Sequence, residues 1–152
     1  VSSPAEKLAD KLAAKLEITE LLYRYAELID AGDFDGVGEL LGRGTFMEVA
    51  GASGIADLFA ATTRRYPEHG NRTRTRHLVL NPIIDVDVDG AVARARSTFC
   101  VVQNTENVPL QPIVVGRYAD SFARDEQGWY FTERRVDVEM VGDVSEHLNI
   151  AL

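Results

Sequence analysis

Near residue 74 the hydrophobic pattern of the chain changes its period. Before that point apolar residues recur at helical spacing, as in Leu8, Leu12 and Leu16, then Ile18, Leu22, Tyr25 and Ile29; beyond it they alternate. Helical spacing buries one stripe of a helix and alternation buries one face of a strand, so the chain places helices first and a sheet afterwards. That order is α+β: a curved antiparallel or mixed β-sheet with about three N-terminal helices packed on one face.

Ser3-Pro4-Ala5-Glu6 combines a serine N-cap, a proline at the first helical position and a glutamate that closes a capping box, while Gly32 supplies a stop. The spacing predicts one helix over residues 4–31 and a second over 34–41 capped by Asp33. A short strand over 45–49, a turn at 51–54 and a third helix over 55–66 follow, then a polar loop over 68–74. Four long strands are predicted over 74–88, 91–104, 113–124 and 128–140. The turns between them, such as Asp89-Gly90, join antiparallel neighbours. Both faces of these strands carry apolar residues, Leu78 and Leu80 opposing His77, Val79 and Asn81. One face needs helices and the other a second subunit, so a homo-oligomer, dimer or trimer, through the outer sheet face is expected.

The length of 152 residues fits one domain over 1–152, with 1–16, rich in alanine and lysine, as a helical N-terminal extension. A net charge of -8 argues against a nucleic-acid surface, despite the local run of Arg64, Arg65, Arg72, Arg74 and Arg76. No apolar stretch reaches the ~18 to 20 residues of a membrane span. The one cysteine, Cys100, lies in an apolar run and reads as a buried, inert thiol, so no oxidising compartment is implied and a cytoplasmic location is expected.

No cofactor or metal is expected. Asp85-Val86-Asp87-Val88-Asp89-Gly90 opens like a calcium loop, but the twelfth position is Arg96, where a bidentate glutamate belongs. His69, His77 and His147 have no partner at zinc-ligand spacing, and Gly51-Ala52-Ser53-Gly54 lacks the lysine of a phosphate loop.

Asp30 and His77 are the residues expected to carry the chemistry. An aspartate in the last turn of a helix faces the negative end of the macrodipole and is disfavoured by about 0.3 to 1 kcal/mol unless a partner offsets it. His77 is the partner proposed from sequence, and Asn81, on the same strand face, joins it as a substrate-binding candidate. A lone strand histidine is commonly structural; an apolar pocket with a few convergent polar groups makes it a site. At about 100° per residue, Asp30 lies within about 20° of Tyr23 and roughly 140° from Tyr25, so Tyr23 is a second substrate-binding candidate.

The whole chain resembles the SnoaL-like group of the nuclear transport factor two-like superfamily. The resemblance rests on Tyr25-x4-Asp30-x2-Asp33-Phe34-Asp35, Arg76-His77-x3-Asn81-Pro82, Gly116-Arg117-Tyr118-x-Asp120, Gly128-Trp129-Tyr130-Phe131-x2-Arg134, and Gly142-Asp143-Val144-Ser145-x-His147-Leu148. It implies a cone-shaped sheet with the helices on its concave face. The pattern of bile acid 7α-dehydratase places a catalytic tyrosine at Tyr25, an aspartate at Asp30 and a histidine at His77. Scytalone dehydratase keeps the last two. Its second histidine would fall near Val101 and its pocket tyrosines near Ile29 and Glu48, where this chain carries other residues.

The implied activity is a cofactor-independent lyase or isomerase of dehydratase type. Its expected ligand is a hydrophobic cyclic carbonyl compound such as a polyketide, steroid or terpenoid, held in an internal pocket. The alternative from a different class is a non-catalytic ligand-binding or assembly module on the same fold. Trp129, Tyr130 and Phe131 read as sheet packing, and Asp120 with Arg134 or Arg135 as a cross-strand ion pair.

Overall fold

The computed structural model describes residues 1–152. Helix α1 (Pro4–Ala31) begins at the Ser3 cap, whose side chain accepts from the Glu6 N–H, and ends at Gly32, left-handed at φ 74°. Its first buried residue is Ala14, and from Ile18 onward Leu22, Tyr25 and Ile29 face the core. Helix α2 (Phe34–Leu41) follows at once, capped by the Asp33 carboxylate on the Gly36 N–H, 2.9 Å.

The strand expected over 45–49 is divided. Met47 and Glu48 take positive φ values of 47° and 73°, turning β1 (Thr45–Phe46) back on β2 (Val49–Ala50). The third helix, α3 (Ala52–Thr62), begins three residues before its expected start, because Gly51 at φ 83° lets Ala52-Ser53-Gly54 form its first turn. A single turn of 3₁₀ helix (Pro67–His69) occupies part of the polar connection.

The long strands are β3 (Thr75–Val86), β4 (Val92–Gln103), β5 (Gln111–Asp125) and β6 (Gly128–Val141). They form an antiparallel meander, and β1 adds in parallel to β6, giving one mixed sheet of order β2-β1-β6-β5-β4-β3. Register shifts in β3 after Leu80, in β4 and β5 at Val101/Val102, and between β5 and β6 curve it. The helices lie against one face: α1 packs along β3 and reaches β6, and α2 packs on α3 and β6. This is the α+β cone, open at the β3 edge.

One cluster of 22 buried residues fills the cone, joining Ile18, Leu22, Tyr25 and Ile29 of α1 to Phe99 and Val101 of β4, Tyr118 and Phe122 of β5, and Phe131 of β6. The Trp129 N–H donates to Glu17 at 2.6 Å, fixing the helix against the far strand where burial begins.

Candidate active site

The last turn of α1 runs against the start of β3, and a ladder of threonines joins them. Thr73 Oγ1 lies 3.3 Å from the helix-end carbonyls of Ile29 and Asp30 and 2.6 Å from Thr75 Oγ1, and Thr75 donates to Asp30 Oδ1 at 2.8 Å. His77, one strand period on, donates its backbone N–H to Asp30 Oδ2 at 2.9 Å and places Nδ1 2.7 Å from Oδ1. Asp30 thus collects three donors at the helix end where its charge is least welcome. Both side chains are nearly enclosed, 10% exposed for Asp30 and 8% for His77. With a carboxylate on Nδ1, the neutral imidazole carries its proton there and presents Nε2 as a base.

His77 forms part of the wall of an apolar cavity of about 320 Å³ inside the cone. Phe46, Phe59, Phe99, Val101 and Val114 supply greasy lining; the polar exceptions are His77, His147, Thr62 and Thr63, with the hydroxyl-bearing rings of Tyr25 and Tyr118. Tyr25 meets His77 edge to face at 6.5 Å and Tyr118 at 5.8 Å between ring centroids. Burial pushes the Tyr25 phenol up to about 12, and it pushes Tyr118 well above its ordinary value. Both hydroxyls therefore stay protonated donors across the physiological range.

Beneath these rings lies Arg134, completely enclosed. It binds Asp120 of the neighbouring strand with two hydrogen bonds of 2.8 and 3.0 Å, and its guanidinium stands 3.7 Å from the Tyr118 ring centre and 4.2 Å from that of Tyr25. Burial works against the Arg134 charge, but the Asp120 carboxylate outweighs it and raises the pKa above the ordinary arginine value. The cross-strand pair expected from sequence is the floor under the two tyrosines.

The residue sequence reasoning missed is His147. It lies after the last strand, in a tail with no periodic pattern, and its only sequence signal is the tail segment quoted in the resemblance. The structure sets its ring 5.9 Å from that of His77, lining the same cavity. Burial, then the charge of His77, pull its pKa down to about 3, so it is a neutral imidazole with Nδ1 buried and unpartnered. Glu146 holds it there: its carboxylate meets Arg64 and accepts from Asn107 Nδ2 at 2.7 Å, while its carbonyl accepts from Tyr66 and Gln103.

The other two candidates fall outside the cavity. Asn81 sits at the β3 register shift with φ 54°; the bulge interrupts the alternation that would have kept it on the His77 face, and its side chain is exposed. Tyr23 is 45% exposed and borders an outer groove with Asp30. The helix does not unwind before Gly32. Tyr25 consequently faces the cavity and Asp30 the outer groove beside Tyr23, and His77 bridges the two sides. No three His, Cys, Asp or Glu side chains group as a metal site, and no helix is long and apolar enough to cross a membrane.

The profile of the SnoaL-like domain matches residues 10–135. No curated protein matches the chain. Among solved structures, a protein of unknown function from Mycobacterium tuberculosis is similar at 24% identity, with a TM-score of 0.71 over 91% of this chain and 78% of that one. A protein from Novosphingobium aromaticivorans, provisionally named scytalone dehydratase, aligns at 19% identity and a TM-score of 0.70, over 90% and 91%. A Catenulispora acidiphila protein, solved in complex with S-DNPA, aligns at 18% and 0.65, over 84% and 94%. These likenesses are of fold.

Proposed function

The chain belongs to the SnoaL-like domain family, and on that premise we propose that it is a cofactor-independent lyase or isomerase of dehydratase type. Its substrate is a hydrophobic cyclic carbonyl compound of polyketide, steroid or terpenoid character, held in the internal cavity. The observation that carries the reading is the 2.7 Å contact between Asp30 and His77 Nδ1 on the wall of that cavity.

Chemically, a substrate with a hydroxyl β to its carbonyl suits these groups. His77 Nε2 takes the proton α to the carbonyl, and the electrons of the broken C–H bond move into an enolate. Tyr25 donates a hydrogen bond to the enolate oxygen, a contribution of about 2.7 to 4 kcal/mol for a preorganised donor. As the enolate collapses to an alkene the C–O bond breaks, and the imidazolium returns its proton to the departing hydroxyl, releasing water. Asp30 orients the ring and stabilises its cation; positioned acid–base groups of this kind contribute about 10²- to 10⁴-fold. The apolar lining excludes bulk water, which strengthens each of these interactions.

The solved complex of a structural relative with S-DNPA supports small-molecule occupancy of such a cone. The outer sheet face supports self-association: Leu78, Cys100, Val115 and Met140 are successive cross-strand partners, with Leu78 41% and Met140 63% exposed. We assign the oligomer, dimer or trimer, to that face, and a cytoplasmic setting to a chain whose lone cysteine forms no disulfide.

The test is a panel of cyclic β-hydroxy ketones incubated with the protein, with loss of one water read by mass spectrometry. Turnover that vanishes in His77→Ala supports the assignment. Binding of these ketones without turnover favours the non-catalytic module.

A further inference from the structure

Asp30 and His77 form a wall with two sides, and the second side has its own concavity. Between α1 and the edge strand β3 runs an outer groove of about 430 Å³ bordered by Tyr23, Glu27, Asp30, Arg72, Arg76 and His77. It has a neighbouring concavity of about 280 Å³ in which Arg72, Arg76 and Asp30 recur, joined by Arg74, Gln103 and Asn104. In a chain with 24 acidic and 16 basic residues, three arginines border this pair of concavities.

The charge balance there is uneven. None of Arg72, Arg74 and Arg76 forms an ion pair; Arg43, Arg64, Arg96, Arg117, Arg134 and Arg135 do, and the other unpaired arginines, Arg24, Arg65, Arg94 and Arg124, do not border these concavities. Of the two carboxylates at the groove, Asp30 is already saturated by Thr75 and by both donors of His77, leaving Glu27 as the sole free acid. Arg74 is also held in a left-handed backbone at φ 62°, with its carbonyl accepting from the Asn104 N–H. A non-glycine residue adopts that conformation at a cost, and such residues concentrate at binding sites. The Arg76 guanidinium gives one N–H to the Thr75 carbonyl at 3.1 Å, and none of the three arginines is neutralised by a carboxylate; guanidinium groups in that state match the oxygens of carboxylates and phosphates.

We propose that this groove binds a small oxyanion, a phosphate or a carboxylate, through Arg72 and Arg76 with Arg74 in support. The site is distinct from the cavity, from which Asp30 and His77 divide it, and its occupancy does not depend on which reaction the cavity performs. Its position behind the His77 ring makes the imidazole a built-in reporter of binding.

Titration of the whole protein with inorganic phosphate, and separately with acetate, at ionic strength held constant with sodium chloride tests this. Arginine Nε–Hε and His77 imidazole resonances are followed by NMR. Saturable shifts at Arg72, Arg76 and His77 are expected, with binding weakened at least tenfold in R72A/R76A, both exposed positions. Saturation by phosphate alone supports a phosphate site; saturation by both anions supports a site that also takes carboxylates. Linear shifts with both anions, or equal binding by R72A/R76A, would overturn the proposal.

Discussion

Asp30 grips His77 twice, once at the backbone N–H and once at the imidazole Nδ1, so the carboxylate fixes both the strand and the ring it carries. Replacing it by asparagine keeps the shape while removing the charge that would stabilise an imidazolium. In Asp30→Asn, turnover of a substrate identified by the ketone panel should fall about 100-fold, within the range of positioned acid–base groups. Steady-state kinetics should show the loss in kcat rather than KM, since Asp30 faces away from the cavity. An unchanged kcat would remove Asp30 from the mechanism.

His147 makes the protein sensitive to acid. A histidine whose folded pKa, about 3, lies below its ordinary 6.5 binds its proton preferentially in the unfolded chain. Its contribution is fully present above about pH 6.5 and is lost as pH falls toward 3, on the order of 5 kcal/mol across the whole window. Urea denaturation at pH 7 and pH 4.5 should show a smaller drop in stability for His147→Gln than for the native chain. Hydrogen exchange in residues 142–152 should rise first as pH falls, because the protonated ring leaves the cavity with its tail.

Arg134 and Asp120 are both fully enclosed, and removing either leaves the other charge buried without its partner. Asp120→Asn or Arg134→Met alone should destabilise the fold by about 3 to 5 kcal/mol, read from chemical denaturation. The double variant Asp120→Leu/Arg134→Met should recover a large part of that loss. Additive single effects would mean that the two side chains do not act as a pair.

Tyr25 and Tyr23 lie on opposite sides of the His77 wall. Tyr25→Phe removes a cavity donor and should slow turnover about 100- to 1000-fold, or roughly 2.7 to 4 kcal/mol, with little change in KM. Tyr23→Phe, altering an exposed ring on the outer groove, should leave kcat in place. The reverse pattern would put the substrate in the groove.

The sheet and the long helix were legible because each obeys one period over many residues, from Ile18 to Ile29 and from Thr75 to Val141. Boundaries failed where backbone conformation departed from the period. Met47 and Glu48 turn a short strand on positive φ without a glycine to announce it, and Gly51 starts a helix where a glycine cluster suggested a turn. Asn81 was misplaced for the same reason, since one bulge inverts the face of everything beyond it. That Asp30 required a partner followed from electrostatics that needed no long-range geometry; the choice of His77 rested on the segment Arg76-His77-x3-Asn81-Pro82 that carries the resemblance. His147 needed such geometry: an aperiodic tail residue reaches the cavity through the Glu146 contacts to three other segments.

The most direct test of the His77–Asp30 couple is exchange of the α-proton of a bound cyclic ketone for deuterium, followed by NMR in heavy water. The native protein should accelerate exchange; His77→Ala should abolish the acceleration and Asp30→Asn cut it about 100-fold, both while still binding the ketone. Equal acceleration by His77→Ala, or none by the native protein with the ketone bound, would contradict a proton transfer at this site.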